Sequence, residues 1–171
     1  MNDLERIELL FAEVATENAL PPFEFDDDGR TAVDIGDGYL FIEADPAAIR
    51  LSATLGRVAP EAKAAVYERL LEANLFGGDT LGSFFALNGA TGEPVLEREL
   101  ATERLDAAKL AQGLENFLSL AAAWRERIGK IAEAALEAAA AMEDAEADDV
   151  DGIDIEDDED PPDSPGMMIF Q

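Results

Sequence analysis

Residues 74–100 read NLFGGDTLGSFFALNGATGEPVLEREL, and the fold follows from how this stretch divides. Gly77-Gly78 is the stop signal of a helix that precedes it. Phe84, Phe85 and Leu87 supply the aromatic and aliphatic content that strands favour. In the second half, Val95, Glu97 and Glu99 point one way and Leu96, Arg98 and Leu100 the other, a period of two. Between the two runs lie Asn88-Gly89 and Thr91-Gly92, which are turn dipeptides because Asn and Gly tolerate positive φ. A six-residue connection exceeds the tightest hairpin and leaves the turn type open. The stretch is a β-hairpin entered from a helix.

Upstream, three more strands are legible. Thr31, Val33 and Ile35 alternate with Ala32 and Asp34, and Gly36-Asp37-Gly38 then turns the chain. No helix opens after that turn and no Lys or Arg adjoins it, so it is not a phosphate cradle. Tyr39–Ala44, YLFIEA, is a more continuous apolar run and is expected to be central in its sheet. After the break at Asp45-Pro46, Ile49, Leu51, Ala53 and Leu55 alternate with Arg50, Ser52 and Thr54, a strand with one wet face.

Helices frame these strands. Asn2 and Glu5 have capping-box spacing, and Leu4, Ile7, Phe11 and Val14 then share one helical face up to about Asn18. Pro21-Pro22 cannot continue that helix. Phe23-Glu24-Phe25 is extended and leads into Asp26-Asp27-Asp28-Gly29, a turn rather than a calcium loop, because no spaced ligand set follows. A second helix starts at Pro60 and runs to about Asn74, with Ala62, Val66, Leu70 and Leu71 apolar. Asp106 is the N-cap of a long last helix. There Leu110, Leu114, Phe117, Ala121, Trp124, Ile128, Ile131 and Ala135 repeat in steps of four and three, able to seat the helix along another surface. Alanine then takes over, and that section is expected to project or fray.

Composition narrows the function. The 171 residues contain no Cys and no His, which removes disulfides, thiolate metal sites and every Ser-His or Cys-His arrangement. The four serines, Ser52, Ser83, Ser119 and Ser164, are not in a nucleophile elbow, and the acidic residues sit in turns, wet faces and the tail. No catalytic residue, metal site or cofactor is expected. The start lacks a basic region followed by an apolar run, and no apolar run approaches 18 residues, so a soluble intracellular protein is expected. Thirteen of the 39 acidic residues lie between Glu143 and Asp163, leaving 26 acids against 12 bases elsewhere. Such a surface disfavours nucleic acid and anionic membranes. Residues 143–171 are expected to form a disordered acidic tail behind a domain at 1–142, ending in the apolar tip Met167-Met168-Ile169-Phe170.

Helix, three strands, helix, two strands, helix makes an α+β domain with a twisted antiparallel sheet packed by helices. Order and wording resemble the class I chaperones of type III secretion, the Tir chaperone family. The likeness is carried by Pro22-Phe23-Glu24-Phe25-Asp26 with Gly29, Asp37-Gly38-Tyr39-Leu40-Phe41-Ile42, and Leu70-Leu71-Glu72-Ala73-Asn74-Leu75-Phe76-Gly77. Leu87-Asn88, Thr91-Gly92-Glu93-Pro94-Val95-Leu96, Leu105-Asp106, Leu114-Glu115-Asn116-Phe117 and Ala123-Trp124-Arg125 complete it, to about Ile128. The resemblance implies a bacterial cytoplasmic homodimer without catalytic activity, able to meet a secretion apparatus. It would hold the N-terminal segment of a secreted effector extended and secretion-competent. Val66, Leu70, Leu75, Phe84 and Phe85 become candidates for the dimer contact, and Leu4, Ile7, Phe11, Phe41 and Leu51 for the effector patch. The alanine-rich section and tail depart from the family pattern. The tail suits an alternative, an acidic decoy that masks a basic partner through it.

Overall fold

The structure is a computed structural model that describes residues 3–78 and 80–150. The Asn2 cap, the acidic tail from residue 151 and its apolar tip lie outside the described residues. The elements follow the expected order: α1 (Asp3–Glu17), β1 (Arg30–Asp34), β2 (Tyr39–Ala44), β3 (Ala48–Thr54), α2 (Lys63–Asn74), β4 (Phe84–Leu87), β5 (Pro94–Ala101) and α3 (Ala107–Val150). One turn of 3₁₀ helix, Pro60–Ala62, leads into α2 and another, Leu75–Gly77, leaves it.

All five strands pair antiparallel in the order β1-β2-β3-β5-β4. The 74–100 hairpin therefore joins the first three strands through β5, and β3, not β2, is the middle strand. In the turn, Asn88 Oδ1 accepts from the Ala90 N–H at 3.0 Å and the Asn88 carbonyl accepts from the Gly92 N–H at 2.7 Å. Gly92 takes φ +70°, which is what the Thr-Gly dipeptide offers.

The register sorts the side chains. Leu40, Ala53, Leu96 and Phe85 form one row across four strands, with Ile42, Leu51 and Ile49 beside it, all facing the helices. Across them lies α3, whose Leu110, Leu114, Phe117, Ala121, Trp124 and Ile128 are all buried. The seven-residue repeat is thus the seam between helix and sheet. Trp124 meets Phe85 edge-to-face with centroids 4.6 Å apart, and Arg125 donates to the Thr54 carbonyl from Nε at 2.9 Å and Nη2 at 2.7 Å. Phe11 of α1 is fully buried and takes the Phe23 and Phe25 rings edge-on at 5.0 and 5.1 Å. Those contacts hold the chain that leaves α1 against the body.

Ile131 and Ala132 are the last residues of α3 packed against the core. From Glu133 to Met142 no side chain is buried. At 1.5 Å per residue the 44-residue helix is about 66 Å long. Its backbone continues to Val150. From Glu133 to Met142 alanine propensity carries the backbone on without a buried side chain.

Two stability effects follow. Phe11→Ala removes a buried ring and the anchor of residues 23–25, so urea unfolding should show a loss of about 3–5 kcal/mol. At the start of α3 the Asp106 carboxyl accepts from the Lys109 N–H and Nζ, each at 2.8 Å, and these bonds hold its pKa below the usual carboxylate value. A lowered folded pKa stabilises above the ordinary pKa and is lost as pH falls through the folded one. Thermal unfolding against pH should therefore show a shallower acid limb in Asp106→Asn.

Candidate functional site

Three helices cover only one face of the sheet. On the other, the register places Ala32, Phe41, Ser52, Glu97 and Phe84 in one row and Asp34, Tyr39, Thr54, Val95 and Ala86 in the next. Tyr39, Phe41 and Phe84 are each about half exposed here, and Tyr39 and Phe41 lie 6.1 Å apart. The apolar run 39–44 is therefore not buried on both faces; its odd positions are wet because no helix layer lies over them. A charged row bounds this band, with Glu43 between Arg30 at 3.4 Å and Arg50 at 2.8 Å.

The five residues expected in one patch part company. Ile7, Phe11 and Leu51 are fully buried core of the single chain. Leu4 is half-buried beside Gly29, whose added Cβ would come 3.1 Å from the Leu4 Cδ1. Phe41 is exposed, on the sheet face opposite Leu51. Of the second set, Val66, Leu70 and Phe85 are buried, whereas Leu75 and Phe84 are exposed. The structure gathers Leu71, 70% exposed, and Leu87 around a groove of about 380 Å³ with Tyr67, Leu70, Asn74, Phe85 and Ala86. Sequence reasoning missed Leu87 and Tyr39 as exposed groups; alternation with buried Leu40 was the available signal for Tyr39, whereas Leu87 shares the parity of buried Phe85 and is exposed only because its strand ends there at the sheet edge. Leu71 was read as apolar helix face, without its exposure.

The sheet's two edges differ. At β1, the Ile35 N–H donates to the Gly38 carbonyl at 3.0 Å and the Ala44 N–H to the Gly29 carbonyl at 2.8 Å. In an antiparallel pair the bonded residues alternate, so Thr31 and Val33 also turn their amides to β2. Arg30, Ala32 and Asp34 turn theirs outward. The Arg30 groups are taken by Asp26, its N–H donating to Oδ1 at 2.8 Å and its carbonyl accepting from the Asp26 N–H at 2.9 Å. The main-chain groups of Ala32 and Asp34 meet no partner among the described residues.

Pro21–Asp26 runs beside that edge and leaves an open slot of about 740 Å³ along β1. Toward the helices, a groove of about 750 Å³ opens between α1, β1 and α3, with Val14, Leu20, Phe23, Val33, Ile35 and Leu118 among its walls. Main-chain donors and acceptors beside apolar pockets can take an extended peptide, the ladder giving affinity and the pockets reading alternate side chains. The Asp26–Gly29 turn is spent on itself, since Asp26 Oδ1 also accepts from the Asp28 N–H at 3.0 Å. Among the described residues no group of three or more His, Cys, Asp or Glu is placed to hold a metal ion, and no helix is long and apolar enough to cross a membrane.

The sequence profile of the Tir chaperone protein (CesT) family matches residues 10–125. The chain belongs to this family. Curated proteins gave no match. Solved structures share the fold of this chain. A chain of the ExsC–ExsE complex superposes with a TM-score of 0.64 at 17% identity, covering 74% of this chain and 96% of that one. A chain from the complex of the Yersinia pestis type III secretion chaperone SycH with a stable fragment of YscM2 gives 0.54 at 20%, covering 68% and 97%. The ExoT–SpcS complex from Pseudomonas aeruginosa gives 0.51 at 18%, covering 71% and 97%. The family match ends at Arg125, within the packed part of α3, so the alanine-rich section lies beyond it.

Exposure separates surface from core experimentally. Phe41→Ser should change unfolding stability by no more than about 0.5 kcal/mol, while Phe85→Ala should cost about 3–5 kcal/mol. Urea denaturation of both variants checks the contrast.

Proposed function

We propose that this member of the Tir chaperone family is a bacterial cytoplasmic type III secretion chaperone. It binds the N-terminal chaperone-binding segment of a secreted effector and keeps it extended, soluble and secretion-competent, without catalysing a reaction. The observation that carries this reading is the β1 edge. Ala32 and Asp34 offer main-chain pairing between an open slot and an apolar groove, a combination suited to a strand-like ligand. Phe41 and Tyr39 extend the apolar surface on the outer face. Ile7, Phe11 and Leu51 act from beneath, setting the position of α1, β1 and β2.

The protein works as a homodimer in this reading, through the α2–β4 side. Leu71, Leu75, Leu81 and Leu87 are exposed there, at 46–70%, and Phe84 stands on the open face of the same strand. That many large apolar groups on one flank exceed the scattered singles normal on a monomer. Val66, Leu70 and Phe85 are the core on which this flank is built. Leu71→Glu/Leu75→Glu should therefore yield a monomer by light scattering, with an unchanged circular dichroism spectrum.

The client edge has its own test. Proline at position 32 loses only an outward N–H, so pairing with β2 survives while strand addition is blocked. Losing two or so main-chain bonds should weaken the client by roughly tenfold or more. Ala32→Pro is to be compared with the unmodified chain by calorimetry against an effector N-terminal segment, with melting as the folding control. Equal affinity would count against the β1 edge. Ending the chain at Met142 should leave binding intact and insensitive to moderate salt. If binding disappears with the tail or with screening, the protein is an acidic decoy instead.

A further inference from the structure

The opposite edge of the sheet, β4, is closed by one side chain. Asn74, the last residue of α2, accepts from the Phe85 N–H at 2.8 Å through Oδ1 and donates to the Phe85 carbonyl at 3.0 Å through Nδ2. A carboxamide has the same donor and acceptor pair as a peptide group, so Asn74 occupies the place of a residue in a neighbouring strand. Phe85 is the position where this matters. The Asn88 N–H donates inward to the Glu93 carbonyl at 2.9 Å, and alternation along β4 then turns Ala86 and Phe84 toward β5 and leaves Phe85 and Leu87 facing out. Four residues long, β4 has only those two outward positions. With one filled by Asn74, no second strand can continue the sheet there.

We propose that Asn74 is the positioning residue that makes the two edges unequal, barring strand addition at β4 and so directing an extended partner to β1. This rests on the reading of β1 as the client edge only for its second half; the closure of β4 stands without a client. The closure also assigns the α2–β4 flank to side-chain contacts. Leu71 and Leu75 lie around an edge that carries little free main chain, so a second copy met there is held by apolar burial rather than by a shared sheet. An open, apolar edge strand is a template for uncontrolled pairing. Closing it from the adjoining helix keeps the flank sticky for one shape and inert to strands in general.

The test uses the full chain without client, so it can fail independently of the effector reading. Asn74→Ala should form assemblies larger than the unmodified chain, growing with concentration, by light scattering. Leu87→Pro places a proline at the remaining outward position without costing a bond to β5. In the Asn74→Ala background it should abolish every assembly larger than the unmodified chain. Wild-type mass for Asn74→Ala at all concentrations, or large assemblies that survive Leu87→Pro, would overturn the proposal. Should Asn74→Ala fail to fold, amide exchange on the unmodified chain still decides. The Phe85 N–H should exchange at least tenfold more slowly than those of Ala32 and Asp34, and equal rates would refute the closure.

Discussion

The apolar stripe of α3 from Leu110 to Ile128, laid over the Leu40–Ala53–Leu96–Phe85 row, is the contact on which the other features depend. It buries one face of a five-stranded sheet with a single helical layer, and α1 and α2 complete that layer. Burial of this kind is the dominant stabilising term in a domain this size. It is also one-sided. A sheet with two faces and one cover keeps an open face, and five strands in an open sheet keep two edges. The chain therefore carries unfilled binding capacity as a direct result of how its core is made.

Main chain and side chain divide that capacity. At β1 the free groups are peptide N–H and C=O, with an open slot on one side and an apolar groove on the other. At β4 the peptide groups of Phe85 are taken by Asn74, and what remains free is Leu, Phe and little else. A ladder accepts any sequence in an extended form, whereas an apolar flank asks for a matching shape. The first suits an unfolded client segment and the second suits a copy of the same protein.

Much of this was legible from residue order. The hairpin, the Asp106 cap and the α3 stripe are local patterns, each fixed by neighbours within about one turn or one strand, and the structure agrees with them. What stayed hidden is coverage. A period tells which residues share a face but not whether another element lies over it, so Ile7 and Phe41 looked alike while one is core and the other is half in solvent. β2 is interior, between β1 and β3, but the middle place falls to β3 because both strands of the hairpin add beyond it, a long-range choice that no local pattern encodes. Asn74 was read only as a helix end and as part of a family motif. Its bond to Phe85 spans eleven residues and a change of element, beyond what spacing reveals.

The most direct test of the account is amide exchange on the chain in complex with an effector N-terminal segment, compared with the free chain. The account requires strong new protection at Ala32 and Asp34 on binding, with little change at Phe85. Protection that appears along β4 while Ala32 and Asp34 continue to exchange as in the free chain would contradict it.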